Sequence, residues 1–310
     1  MRFAKVLITC GIFVILFFEA TEFSYAALPS SKGQRESLLE EGSISTLKEE
    51  EPAFSFESDS FARYIPRESV YSQQGKLGII DTGSEQSIKT KAFGVLPVGF
   101  IVGARYIGIE NSTGVTLPAS LTSVSLGMEV TGPFFGIDKT YSFIGLYPSW
   151  YDSNWQCRSA SFRTPFTVLA IRKPNERLTL IAGVAAFPEF QNEVTPVIGF
   201  RYLPNDRLTF DLIPPKPSIS YKLNKELSIF AEGGLTNNEY NVKKDGNKSE
   251  ILKYEEMNLG GGFSYQLGKN ALFSLSAGSV MSHRLKYKDY VGKIRVKNGS
   301  YVNLGVLIKI

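Results

Sequence analysis

The feature that most constrains this chain is a period of two. From about residue 86 to Ile310 it runs in short segments whose apolar residues alternate with small or polar ones, punctuated by Gly, Asn and Pro. Strands whose two faces meet different surroundings leave that signature. In the last segment Val302, Leu304, Val306, Ile308 and Ile310 alternate with Tyr301, Asn303, Gly305 and Lys309, and Leu307 is the exception. Before it, Ala271, Phe273, Leu275 and Ala277 alternate with Ser274, Ser276 and Gly278. Met257, Leu259, Phe263 and Tyr265 oppose Asn258, Gly260, Gly262, Ser264 and Gln266. Past residue 20 there is no apolar run of about 18 residues, so a membrane can be crossed only by strands.

The turns repeat as well. Pro174-Asn175-Glu176-Arg177-Leu178 is echoed by Pro204-Asn205-Asp206-Arg207-Leu208 and more loosely by Asn224-Lys225-Glu226-Leu227. Tight polar turns of this kind alternate with longer links at 188–194, 214–217, 237–250 and 289–292, as in an up-and-down meander with short turns at one end. Setting the last hairpin tip at Asp289 to Gly292 makes Lys288 face Lys293, Gly278 face Asn303 and Ala271 face Ile310. The C-terminus then falls level with the turn at Gly268 and Asn270. Strands of about 18 residues exceed the 9 to 11 that a membrane crossing needs and should project beyond it. The reading is all-β: an antiparallel up-and-down transmembrane β-barrel of about 10–12 strands. A soluble β-sandwich also alternates; the Gly, Ser and Asn of the polar face favour an aqueous lumen over a second packed sheet.

The N-terminus supplies an address. Arg2 and Lys5 precede an apolar run from Val6 to Phe18, followed by Ser24, Tyr25 and Ala26. A secretory signal peptide of residues 1–26 is expected. Cys10 lies in a run that continues past it, which argues against lipidation. Its loss with the signal leaves Cys157 as the one remaining cysteine, so no intramolecular disulfide can form. Residues 27–69 read as a polar flexible leader, with Glu49, Glu50 and Glu51 in a run and no hydrophobic period, and residues 70–310 as the barrel. With 43% hydrophobic residues and a net charge of +4 among 310 residues, disorder throughout is excluded.

The stretch Arg163–Tyr290, with YLPNDRLTFDLIPPKPSISYKLNKELSIFAEGG at its centre and a glycine-rich strand after it, resembles an uncharacterised family of bacterial outer-membrane β-barrel proteins. The resemblance rests on turn and proline patterns over the last half to two thirds of the chain. It implies a barrel in the bacterial cell outer membrane and carries over no substrate or catalytic residue. Terminal Ile310 departs from the aromatic residue with which many such barrels end.

Candidate chemistry is sparse. Ile79-Ile80-Asp81-Thr82-Gly83 resembles the aspartic protease motif, but that reaction needs two carboxylates sharing a proton and no second motif is found. A turn between early strands is the plainer reading. Ser282 and His283 are adjacent in a strand and point to opposite faces, so they form no dyad. His283, on one face with Met281 and Leu285, reads as interfacial. Tyr147, Trp150, Tyr151 and Trp155 read as part of an interfacial aromatic girdle.

Two charge groups stand out. Arg284, Lys286, Lys288, Lys293, Arg295 and Lys297 fall on one lumenal face and would make an anion-attracting rim. Arg201, Asp211, Lys222 and Glu232, on the polar faces of four consecutive strands, would pair as a lumenal charge network. One histidine makes a zinc site of the usual kind improbable, and no cofactor, metal or catalytic residue is expected. The function expected is a narrow small-solute or anion channel, or a structural or adhesion scaffold, rather than an enzyme. An outer-membrane hydrolase and a soluble secreted β-sandwich protein are the alternatives. Expected partners are outer-membrane lipid and lipopolysaccharide, and the barrel-insertion machinery during assembly, with no nucleic acid.

Overall fold

The computed structural model describes residues 54–310 apart from 72–73, 93–95, 135, 154, 156, 189–193, 245–247 and 289–292. The expected signal peptide and the leader up to residue 53 lie outside the described residues. Seventeen β-segments follow in order. The first group is β1 (Phe54–Ser69), β2 (Lys76–Ala92), β3 (Leu96–Asn111), β4 (Ser120–Pro133), β5 (Thr140–Leu146) and β6 (Ser149–Asp152). Next come β7 (Phe162–Arg163), β8 (Phe166–Asn175), β9 (Leu178–Ala186), β10 (Val194–Tyr202), β11 (Leu208–Leu212) and β12 (Ser218–Lys222). The last are β13 (Leu227–Lys244), β14 (Lys248–Leu267), β15 (Ala271–Tyr287), β16 (Lys293–Val296) and β17 (Gly299–Lys309).

Three of these segments continue the one before. β5 and β6 pair with β4 in one unbroken register, Met128 opposite Leu146 and Ser125 opposite Ser149. Pro148, which has no N–H for the ladder, divides them. Pro165 divides β7 from β8 in the same way, and β16 and β17 share one register on β15. The wall therefore has fourteen antiparallel strands, more than the 10–12 read from the sequence. It closes where β1 pairs with β17, Tyr64 opposite Val302 and Glu57 opposite Lys309. The sandwich is thereby set aside: a single sheet closes on itself, and among the described residues no second sheet covers its outer face.

β1 corrects the domain boundary. Residues 54–69 belong to the barrel and not to the leader. Their inward face carries Asp59 and Arg63 and their outward face Ser58 and Ser60, so the polar composition concealed a wall strand.

Turn chemistry fixes one end of the barrel. Asn175, Asn205 and Asn224 each accept, through Oδ1, the backbone N–H two residues on. This Asx turn is the physical content of the sequence repeat. Asn270 donates its side-chain Nδ2 to Lys309 O at 2.7 Å, and Lys309 N donates to Asn270 O at 2.8 Å, which places Ile310 at the same end. The last hairpin pairs two residues away from the expected register, with Gly278 opposite Tyr301 and Ala271 opposite Ile308. An even slip preserves faces, so the inward and outward sets of the lower strands stand.

Toward the turn end the outer wall is apolar. Phe100, Leu126, Ile144, Ile198, Phe263, Leu275 and Leu304 all point outward, with Leu304 51% and Ile198 64% exposed. Toward the loop end the polarity inverts. Ile65, Leu77, Ile79, Ile107, Leu121, Tyr240, Leu252, Tyr254, Leu285 and Ile294 point inward and form one buried core.

Two devices make the inversion. β-Bulges shift the parity of strands on which the pattern was continuous in sequence. β1 shifts register between Ile65 and Glu68, and β15 inserts an extra residue, Met281, between the partners of the consecutive Met257 and Asn258 of β14. On β15 the buried positions pass from Ser276 and Val280 to His283, Leu285 and Tyr287. The second device is strand length. β11 and β12 have only five residues each. Above them β13 bonds first to the 213–217 loop, Leu235 N to Pro215 O at 3.0 Å, and then to β6 at Asn241 and Asp152. The ring at this height has about nine strands, a size that side chains can fill completely.

Candidate functional site

The wider lower ring holds a cavity of about 670 Å³. Its lining includes Ser123, Ser125, Ser218, Ser220, Ser228, Ser274, Asn258 and Asn303, and it reaches the turn end at Lys225, Lys269, Asn270 and Lys309. Inward Gly83, Gly103, Gly234 and Gly305 keep the space open. A Cβ at Gly83 would lie 2.5 Å from the Phe61 ring. Phe143, Leu169, Ile171, Ile181 and Val197 extend the apolar core down one side, leaving the cavity to the other walls.

The cavity ends upward against an ionic layer beneath the apolar core. Arg63 on β1 donates Nη1 to Glu256 Oε1 at 2.6 Å and Nη2 to Asp81 Oδ2 at 2.7 Å. Arg105 on β3 donates Nε and Nη2 to the two Asp81 oxygens, each at 2.8 Å. Tyr254 Oη and Asn258 Nδ2 donate to Glu256 at 2.6 and 2.8 Å. β14 is not a neighbour of β1 in the wall, so the Arg63–Glu256 pair is a tie across the interior. Two guanidiniums and two carboxylates, with every oxygen occupied, meet the condition under which buried charge is tolerated.

The sequence-derived candidates now have places. Asp81 sits inside β2, not in a turn, and is 1% exposed between its two arginines. Thr82 faces out and Gly83 in, so the protease-like motif is a strand interior. Arg201, Asp211, Lys222 and Glu232 all line the cavity. Arg201 lies opposite Asp211 in register, and Glu232 accepts the Ser276 hydroxyl at 2.9 Å.

The basic group is where the reading needs correction. Leu285, Tyr287, Ile294 and Val296 are the buried side of β15 and β16. Arg284, Lys286, Lys288, Arg295 and Lys297 therefore stand on the outer wall, not in the lumen. Lys293 pairs with Lys286 along the backbone, but its side chain lies outside the described residues. His283 is corrected for the same reason. It is inside the core with its ring edge-on to Tyr254 at 5.1 Å. The aromatic group divides by parity: Tyr147 and Tyr151 point inward, whereas Trp150 packs on Phe162 at 5.0 Å and Trp155 is exposed.

The ionic layer escaped the sequence reading because its members are far apart in the chain. One signal was present: Tyr254, Glu256 and Asn258 are alternate residues of one strand, and a glutamate on an inward face needs partners. Among the described residues no group of His, Cys, Asp and Glu is placed to hold a metal ion.

Solved structures to which the chain is similar include the COG4313 outer membrane channel from Pseudomonas putida F1. It is 9% identical, with 84% of this chain and 97% of that chain covered and a TM-score of 0.47. A TodX monoaromatic hydrocarbon channel deltaS2 mutant gives 10% identity, 83% and 89% coverage and a TM-score of 0.49. A Pseudomonas aeruginosa FadL homologue gives 10%, 83% and 88%, with a TM-score of 0.39. At these scores none bears on activity. No curated protein matches the chain in sequence. The family described as Domain of unknown function (DUF6268) matches residues 99–305, two thirds of the sequence, and the chain belongs to that family.

Proposed function

We propose that the protein is an exported barrel of the bacterial outer membrane that works as a narrow channel for small polar solutes, closed at its loop end. The observation that carries the reading is the polar cavity, which runs from the turn end to the ionic layer and stops there. Serines, asparagines and nearly balanced charges suit small hydrated solutes rather than oils. The basic N-terminus, the apolar run Val6 to Phe18 and Ala26 support export through a cleaved signal. Asp81 and Glu256 are held as ion-pair partners of arginines, which favours a structural over a catalytic role for both. Arg201, Asp211, Lys222 and Glu232 are proposed as charges that set the selectivity of the lower lumen.

Conductance in planar bilayers tests this reading. The wild type should give small, infrequent openings. Leu252→Ala, which thins the upper core, should make them more frequent. Silence from both proteins, with insertion verified by heat-modifiable migration on gels, would leave a sealed scaffold and end the channel reading.

A further inference from the structure

The outward face of β15 and β16 carries a cluster of cations for which the lumen has no use. Arg284 lies opposite Arg295, and Lys286 lies opposite Lys253. Like charges directly opposite one another repel. The acidic neighbour in register is Glu255, opposite Arg284, and it is bound to Lys253 at 2.8 Å. Among the described residues Arg284, Lys286, Lys288, Arg295 and Lys297 have no carboxylate at ion-pair distance, and the Arg284 Nε is buried with no hydrogen-bond partner. Arg295 and Lys297 flank the Tyr71 ring at 5.2 and 5.9 Å, which fixes their direction along the wall.

Height identifies what these cations meet. On β15 the outward face from Ala271 to Met281 is apolar except at Ser279, about 33 Å of strand at about 3.3 Å per residue. At the usual tilt that spans about 25 Å, the height of a lipid-facing belt. Arg284 follows one bulge above Met281, and on β17 the belt residues Leu304 and Val302 stop short of Lys297 in the same way. The cations therefore stand at headgroup level on the wall.

We propose that this face is a binding site for a phosphorylated lipid headgroup of the leaflet on the loop side. The acyl chains would lie on Met281, Val302 and Leu304, and the phosphates would be held by Arg284, Lys286, Arg295 and Lys297. Arginine offers paired donors to phosphate oxygens and lysine a point charge. The inference rests on the barrel's membrane placement and is independent of conduction.

The test uses the full barrel reconstituted in phosphatidylcholine bilayers containing bisphosphorylated lipid A or its fully dephosphorylated counterpart, with retained glycolipid read by native mass spectrometry. The wild type should retain the phosphorylated form in excess, on the order of tenfold. The ratio should shrink as salt rises from about 0.01 to 1 M. Substituting Gln at Arg284, Lys286, Arg295 and Lys297 together should bring it to about one, whereas Arg172→Gln, on the outer wall at the turn end, should leave it unchanged. Equal retention of both lipids by the wild type, a salt-independent ratio or an undiminished ratio in the quadruple variant would overturn the proposal. Complete displacement by inorganic phosphate would make this a free-anion site and overturn it as well.

Discussion

The two halves of this barrel obey opposite rules along the same strands. In the lower half the outward Leu275 and Leu304 are exposed while inward Ser274 and Gly305 face a polar cavity. In the upper half of the same sheet Leu285 and Ile294 are buried inside while Arg284 and Arg295 stand outside. The lower half is the inside-out pattern of a membrane wall; the upper is the pattern of a protein in water. The difference shows that solvent sets which face is apolar. A single extra residue at a bulge is enough to switch it.

The largest effect is expected at the boundary between the halves. Arg63→Ala leaves Glu256 without its cation and Asp81 with one of two, and should cost about 3–5 kcal/mol, read by urea unfolding in lipid. Leu252→Ala in the upper core should cost about 2–5 kcal/mol. By contrast, Leu304→Ala on the lipid face, which only trades one apolar surface for a smaller one, should cost about 0.5 kcal/mol. Equal costs for the two leucines would erase the distinction. A charge sharpens it further: Leu275→Arg should cost about 2–4 kcal/mol near the midplane, whereas the upper wall already carries arginine at position 284.

Asp152, at the loop end of β6, gives a smaller effect that depends on pH. Asp152 is buried, which alone would raise its pKa. Hydrogen bonds from Arg158, Ser161 and the Ser153 amide outweigh burial and hold the carboxyl below the usual range. Its contribution is present above the unfolded value of about 3.9 and is lost as pH falls through the lower folded value. Asp152→Asn should therefore destabilise by about 1–3 kcal/mol at pH 7, and the difference from wild type should vanish in stronger acid. The smallest expected effect is none. Neutralising Lys286, Arg295 and Lys297 should leave reversal potentials unmoved, because these cations are not in the lumen.

Much of the lower half was legible in the sequence. The period of two over 263–267 and 273–278, the asparagine turns and the level of Ile310 all follow from strand and turn chemistry. The upper half was not. Parity carried straight through Met281 and Ser282 puts Lys286 inside and His283 at an interface, and no residue type there announces the bulge. Even the five-residue β11 and β12 were legible, as the strands that carry Asp211 and Lys222 beside the asparagine turns. β1 passed for leader because both of its faces contain polar residues. The ionic layer joins Arg63, Asp81, Arg105 and Glu256 from four strands, a conjunction that depends on barrel closure and not on local pattern.

Spin labels placed singly at Leu275, Leu304, Lys286, Arg295 and Leu252, in a Cys157→Ser background and in lipid, examine the inversion directly. Labels at Leu275 and Leu304 should collide with oxygen and be shielded from a water-soluble nickel chelate. Those at Lys286 and Arg295 should meet the chelate, and the label at Leu252 should be shielded from both. Free access of the chelate to Leu275 and Leu304 would contradict the account.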